Sequence, residues 1–313
     1  MKTYTYQMKT GIVRTREFEK KGLAQFSVNC GLKCGHGCTY CSTCVMLRVH
    51  PAFKHIGVSP FENGYAIIDT ETPQRVALDA KNKKQRGMIQ LCTTVDARAP
   101  EAQEHELGRK CLNAILSEPE WTVRILTKNA AVIKDFDLIE KYRDRVIVGL
   151  SITSTPDKSD VIKVIEPNAS TIEERMEALR QAHSRGLRTY GMLCPLLPGI
   201  ADTPAQIDEL VKYMVDCGVE EIFAEAVNPR GRGLILTEQA LLTAGFCSEA
   251  AAIRNIRNRK NWSAYVVRLI KNVQRSVREH YDISKLRFLQ YPSGLKAADI
   301  AEIKKDNAGV VWL

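Results

Sequence analysis

Six short apolar runs, spread over the first three quarters of the chain, constrain its fold more than any other feature. They are Phe26–Asn29, Met88–Cys92, Val123–Thr127, Val146–Ile152, Arg188–Leu193 and Glu220–Val227. Each is rich in branched residues and too short for a helix, so each reads as a buried strand. Segments of helical period lie between them. Ala102–Leu116 comes after the second run, Ala131–Tyr142 after the third, Thr171–Ser184 after the fourth and Ile207–Cys217 after the fifth. Ser170 or Thr171 together with Glu174 makes a helix start of the capping-box type. Asp202-Thr203-Pro204 is another start, and Gly186 and Gly218 stand where helices stop. Such alternation builds parallel βα units with right-handed crossovers. Six units give an incomplete barrel or an open doubly wound sheet. In both, the working face lies at the strand C-termini.

The alternation stops after Asn228-Pro229-Arg230-Gly231-Arg232-Gly233. The remainder of the chain reads as helices, including a long one over Trp262–His280, and a short strand over Arg287–Gln290. The expected organisation is an N-terminal extension (1–24), an α/β core (25–233) and a mainly helical C-terminal lobe (234–313). No run of 18 apolar residues exists, so no membrane-spanning helix is expected. Residues 1–20 lack the apolar stretch of a signal peptide, which points to the cytoplasm.

Ten cysteines could suggest disulfides, but five of them fall between Cys30 and Cys44, which favours metal binding. Cys34, Cys38 and Cys41 form C-x3-C-x2-C directly after the first strand, with Tyr40 before the last cysteine. Three thiolates satisfy three irons of a cubane [4Fe–4S] cluster and leave the fourth iron open. An open iron can chelate the amino and carboxylate groups of S-adenosylmethionine (SAM), and an electron from the cluster then cleaves the sulfonium. The protein positions the radical that results. The rival is tetrahedral zinc on four of the five cysteines, although zinc ligands usually come as two separated C-x2-C pairs. Cys30 and Cys44 are spare thiols on the cubane reading, and His36 is a loop residue.

The chain resembles the spore photoproduct lyase branch of the radical SAM superfamily over roughly residues 25–230. Cys34-Gly-His-Gly-Cys38-Thr-Tyr-Cys41 looks like its cluster loop. Cys92-Thr93-Thr94-Val95-Asp96, Leu126-Thr127-Lys128, Ser151-Ile152-Thr153, Ile165-Glu166-Pro167 with Arg175, and Cys194-Pro195-Leu196-Leu197-Pro198-Gly199 come next in the family's order. The resemblance implies a partial (β/α)6 barrel, a [4Fe–4S] cluster on Cys34, Cys38 and Cys41, and SAM as cosubstrate. It implies that Lys128 meets the SAM carboxylate, that Ser151 and Thr153 approach the ribose, and that Glu166 and Arg175 support that site. Cys92 matches the hydrogen-atom donor, and Tyr40 a radical-relay tyrosine. The branch carries a second tyrosine just after the third cluster cysteine, where this chain has Ser42. The implied partners are thymine-containing DNA and an electron donor such as flavodoxin or ferredoxin.

The formal net charge of +9 is concentrated. Between Arg254 and Arg287 stand ten Lys and Arg against two Asp and Glu. Arg268, Lys271, Arg275 and Arg278 fall opposite the apolar face of the Trp262–His280 helix. A local basic block suits a phosphate backbone, or is a solvated helix face. The expected activity is therefore radical chemistry on a thymine-derived lesion or modified thymine in DNA. The alternatives are a radical SAM enzyme acting on tRNA, a peptide or a small molecule, and a non-catalytic zinc-dependent nucleic-acid-binding protein.

Overall fold

The computed structural model describes residues 1–313. All six expected strands form: β1 (Phe26–Val28), β2 (Met88–Leu91), β3 (Thr122–Thr127), β4 (Val146–Ser151), β5 (Arg188–Leu196) and β6 (Ile222–Ala226). They lie side by side in that order, all parallel. Leu91 pairs with Ile125, Thr127 with Leu150 and Ser151 with Met192, so the strand ends bearing Cys92, Lys128, Ser151 and Cys194 share one rim. The helices Leu107–Leu116, Ile172–Ser184 and Pro204–Asp216 come after β2, β4 and β5. Thr171 with Glu174, and Thr203 with Gln206, close both halves of a capping box.

The sheet runs further than six strands. β7 (Leu286–Gln290) and β8 (Val310–Trp312) continue it in parallel beyond β6, and Ile12–Arg14 pairs antiparallel with β1. The two outer strands do not meet, so the barrel is open. Residues 234–313 are mainly helical and share the barrel's core. The helix Arg259–His280 buries Trp262, Tyr265, Val266, Leu269, Ile270, Val273 and Val277 there. Each such side chain contributes roughly 1.5–3 kcal/mol of burial. Tyr265 Oη donates to Leu196 O (3.0 Å) and Trp262 Nε1 to Val227 O (3.2 Å), pinning this helix to the ends of β5 and β6.

Two local expectations are corrected, and one small sheet is added to them. The helix after β2 is broken: Pro100–Glu104 and Leu107–Leu116 are separated at Glu106, whose φ is 52°. The segment after β3 begins as a 3₁₀ turn, Ala130–Asp135, before the short helix Phe136–Lys141. Lys2–Thr5, Tyr65–Ile68 and Gly31–Lys33 form a separate small sheet that holds the root of the cysteine loop.

The basic block is also not a free cationic stripe. Arg254 and Arg257 pair with Glu238, Arg268 with Asp202, Lys271 with Glu302, Arg275 with Asp208, Arg278 with Asp306 and Arg287 with Glu221. Acids from other elements pair with these side chains, which stay part-exposed, so the cations of the long helix are not all free for a phosphate backbone. No helix is long and apolar enough to cross a membrane.

Candidate active site

The loop Cys34–Cys41 is held by partners from distant elements. Gly35 N–H donates to Glu101 Oε1 (2.8 Å), at the start of the Pro100–Glu104 helix. Asn168 Nδ2 donates to Gly35 O (2.8 Å), Asn168 N–H to His36 O (3.2 Å) and Thr39 N–H to Ile165 O (2.9 Å). A Cβ at Gly35 would stand 2.6 Å from Glu101 Oε2 and closer still to the Met1 side chain, so both side chains would have to shift to admit one. Gly37 has φ +68°, the left-handed region where a side chain is strained.

This holds Cys34, Cys38 and Cys41 against one cavity of about 270 Å³, which Cys92, Lys128, Ser151 and Cys194 also line. Burial pushes the Cys34 thiol up to about 12 and that of Cys38 well above its usual value. Cys30 stays in the core. Cys44 Sγ donates to Cys41 O (3.0 Å) and, together with Cys34, Cys38 and Cys41, lines a smaller hollow of about 50 Å³. Of the five clustered cysteines only Cys34, Cys38 and Cys41 line the larger cavity, which suits a cluster whose one open iron faces that space. In such a cavity those three thiols can hold the cluster.

Glu166 organises the wall beside the thiols. Its carboxylate is fully buried and pairs with Arg175, accepts from the Tyr40 hydroxyl and from Thr153 Oγ1 (3.2 Å), and lies 3.4 Å from Lys128 Nζ. Burial alone would raise its pKa, but Arg175 and Lys128 hold it well below the usual carboxylate range. Two cations on one carboxylate leave a net positive charge at the wall, matched to an anionic ligand group. Lys128 Nζ also donates to Cys194 O (3.4 Å) and sits 5.7 Å from the Tyr40 ring centroid. Ser151 lines the cavity. Thr153 does not: β4 ends at Ser151, strand alternation stops there, and the Thr153 hydroxyl turns to Glu166. Arg175 also stays behind the wall, donating to Ser170 O (2.8 Å) and Ser151 O (3.1 Å).

Cys92 is placed by a residue that sequence reasoning passed over. Asn29 Oδ1 accepts from Thr93 N–H and Thr94 N–H, both at 2.8 Å, which fixes the loop after β2. Asp96 was missed too. It accepts from Thr127 Oγ1 (2.8 Å) and Lys128 N–H (2.8 Å), joining the ends of β2 and β3. His36 is 2% exposed, with Nδ1 3.5 Å from Asp96 Oδ2 and Nε2 unpartnered. Burial lowers its pKa, so it is a neutral ring packed beside the cysteines. His36 and Asp96 lie inside motifs read from the sequence and Asn168 stands directly after Glu166-Pro167, but their partners are distant in the chain.

The profile of the Radical SAM superfamily matches residues 28–214, from β1 into the helix after β5. The chain belongs to the radical SAM superfamily. Radical SAM proteins use a [4Fe–4S] cluster and SAM, so this chain is a radical SAM enzyme and the zinc reading lapses. Uncharacterised protein ORF301 of Acidianus two-tailed virus is 26% identical over 69% of this chain and 71% of its own. Uncharacterised protein MJ0683 of Methanocaldococcus jannaschii is 27% identical over 59% of this chain and 66% of its own. Among solved structures, spore photoproduct lyase complexed with dinucleoside spore photoproduct has a TM-score of 0.52 at 15% identity. That match covers 76% of this chain and 66% of the lyase. A double mutant of that lyase, with bound AdoMet and dinucleoside spore photoproduct, has a TM-score of 0.58 at 13% identity, covering 89% and 79%. At these identities the likeness is one of fold.

Proposed function

We propose that this radical SAM enzyme acts on a thymine-derived lesion or a modified thymine in DNA, with Cys92 as the hydrogen-atom donor. The observation that carries the reading is the Cys92 thiol on the wall of the same cavity as Cys34, Cys38 and Cys41. An S–H bond is weaker than most C–H bonds, so a thiol held there can end a carbon radical. When bound, the cluster and SAM supply a 5′-deoxyadenosyl radical. Cys34, Cys38 and Cys41 hold the cluster, Lys128 meets the SAM carboxylate, and Ser151 reaches the ribose. Glu166 orients Lys128 and Tyr40, and Arg175 keeps Glu166 charged. The solved lyases with spore photoproduct support the thymine reading by fold. Arg230 and Arg232, exposed on the loop after β6 and without carboxylate partners, are the phosphate contacts at the rim; a low-potential donor such as flavodoxin or ferredoxin reduces the cluster.

The ion-paired helix leaves fewer free cations for a polyanion and favours a second reading, in which the same chemistry serves a peptide or a small molecule. One experiment separates them. The reconstituted protein is reduced anaerobically with SAM and a thymine dinucleotide carrying the spore photoproduct, and products are identified by mass spectrometry. Recovery of the normal dinucleotide supports the lesion reading. Release of 5′-deoxyadenosine without repair moves the substrate to a modified thymine or outside DNA.

A further inference from the structure

Two buried thiols behind the cavity have no part in the proposed reaction. Cys92 Sγ donates to Cys30 Sγ at 3.8 Å, and Cys30 Sγ lies 3.8 Å from Cys111 Sγ. Cys92 lines the cavity, whereas Cys30 and Cys111 do not and are 1% and 0% exposed. The three sulfurs make a row from the cavity wall, through the chain after β1, to the helix Leu107–Leu116. Its order is that of a donor, a neighbour and a terminus. Cys194, another thiol lining the cavity, bonds instead to Glu225 at 3.6 Å and meets no sulfur. The Tyr40 hydroxyl is committed to Glu166.

We propose that Cys92, Cys30 and Cys111 form a hydrogen-atom reservoir, in which Cys30 reloads Cys92 and Cys111 reloads Cys30. The proposal rests on the reading of Cys92 as donor. Once the Cys92 hydrogen passes to a carbon radical, the unpaired electron resides on the Cys92 sulfur. The S–H bond of Cys30 then breaks, an S–H bond forms at Cys92, and the unpaired electron moves to Cys30. The same exchange between Cys30 and Cys111 carries it to the core. Each step trades one S–H bond for another, so the energies match and no proton, electron or leaving group enters or departs. The surroundings suit this chemistry better than two-electron thiol exchange. The hydrogen bond with Cys111 and burial raise the Cys30 pKa, and burial raises that of Cys92. Thiols kept protonated are poor nucleophiles, but a protonated thiol is the form that carries a hydrogen atom. The reservoir moves the unpaired electron from the cavity wall to two sulfurs that are 1% and 0% exposed.

The test needs no substrate. The full-length, cluster-loaded protein is equilibrated in 2H2O without added thiol, then given SAM and a low-potential one-electron donor. Under these conditions the carbon radical formed from SAM takes deuterium from Cys92. Each thiol holds one exchangeable hydrogen, so the burst of monodeuterated 5′-deoxyadenosine is about three per chain and falls about threefold in Cys30→Ser. The serine hydroxyl has nearly the size of the thiol but holds its hydrogen too strongly to give it to sulfur. Two sulfur radicals left in the core combine, one unpaired electron from each, and peptide mapping of the wild type after the burst finds a Cys30–Cys111 disulfide. A Cys92→Ser variant that keeps the deuterium burst overturns both the donor reading and the reservoir. If Cys92→Ser loses the burst while Cys30→Ser matches the wild type and no Cys30–Cys111 disulfide forms, the reservoir alone is overturned.

Discussion

Glu166 shows how a single carboxylate can set the charge of a whole cavity wall. It is the common partner of Arg175, Lys128, Tyr40 and Thr153, all of which lose an anion if it goes. Removing one partner of a buried pair leaves the other charge uncompensated. Glu166→Gln should therefore cost roughly 3–5 kcal/mol in urea unfolding near neutral pH. The pH dependence has a definite sign. The folded pKa lies below the ordinary 4.5, at about 2. The pair's contribution is complete above the ordinary value and is lost as pH falls through the folded one. The gap between wild type and Glu166→Gln should thus shrink between about pH 5 and pH 2. At Cys92 the expected effect is chemical rather than structural. Cys92→Ala should keep release of 5′-deoxyadenosine while the spore photoproduct dinucleotide yields products other than the normal dinucleotide, seen by mass spectrometry. An unchanged product distribution would remove Cys92 from the reaction.

Elements arrange these residues, and much of that arrangement was legible. Branched runs gave β2 to β6 to within a few residues, because strands buried on both faces carry a continuous apolar signal. The capping residues Thr171 and Thr203 were visible because a cap is a local bond. What was hidden depends on contacts across long stretches of chain. Lys2–Thr5 is polar and largely exposed, and it becomes a strand only beside Tyr65–Ile68. Glu101 caps the amide of Gly35 from 66 residues away, and Thr153 turns inward only because β4 stops at Ser151. Asn29 was read as the end of a strand, yet it anchors the loop carrying Cys92. Asn29→Ala strips partners from two loop amides, and should cost about 1–3 kcal/mol per amide left unsatisfied. Thermal denaturation and SAM turnover, compared side by side, would register it. Unchanged stability with unchanged turnover would show that the loop holds itself.

At the scale of the molecule, a concentration of charge in sequence proved to be a set of ion pairs in space. The acids that pair with cations of the helix Arg259–His280, among them Asp202, Asp208, Glu302 and Asp306, come from outside it, so a count along the chain could not reveal them. If DNA is the substrate, its phosphates meet the loop after β6. Replacing Arg230 and Arg232 by Ala should flatten the slope of log affinity against log salt by about two, since each phosphate contact contributes about one. Replacing Lys271, Arg275 and Arg278 should leave that slope unchanged; anisotropy titrations over a salt series measure both. The open barrel exists to bring three cysteines and one reactive cavity to the same rim, and that claim has a direct test. The protein and its single cysteine variants are reconstituted anaerobically, iron and sulfide are counted, and 5′-deoxyadenosine is measured after reduction with SAM. The wild type and Cys44→Ala should carry about four irons per chain and cleave SAM, whereas Cys34→Ala, Cys38→Ala and Cys41→Ala should do neither. Tightly held zinc in place of iron, or a cluster that survives loss of Cys41 but not of Cys44, would contradict the account.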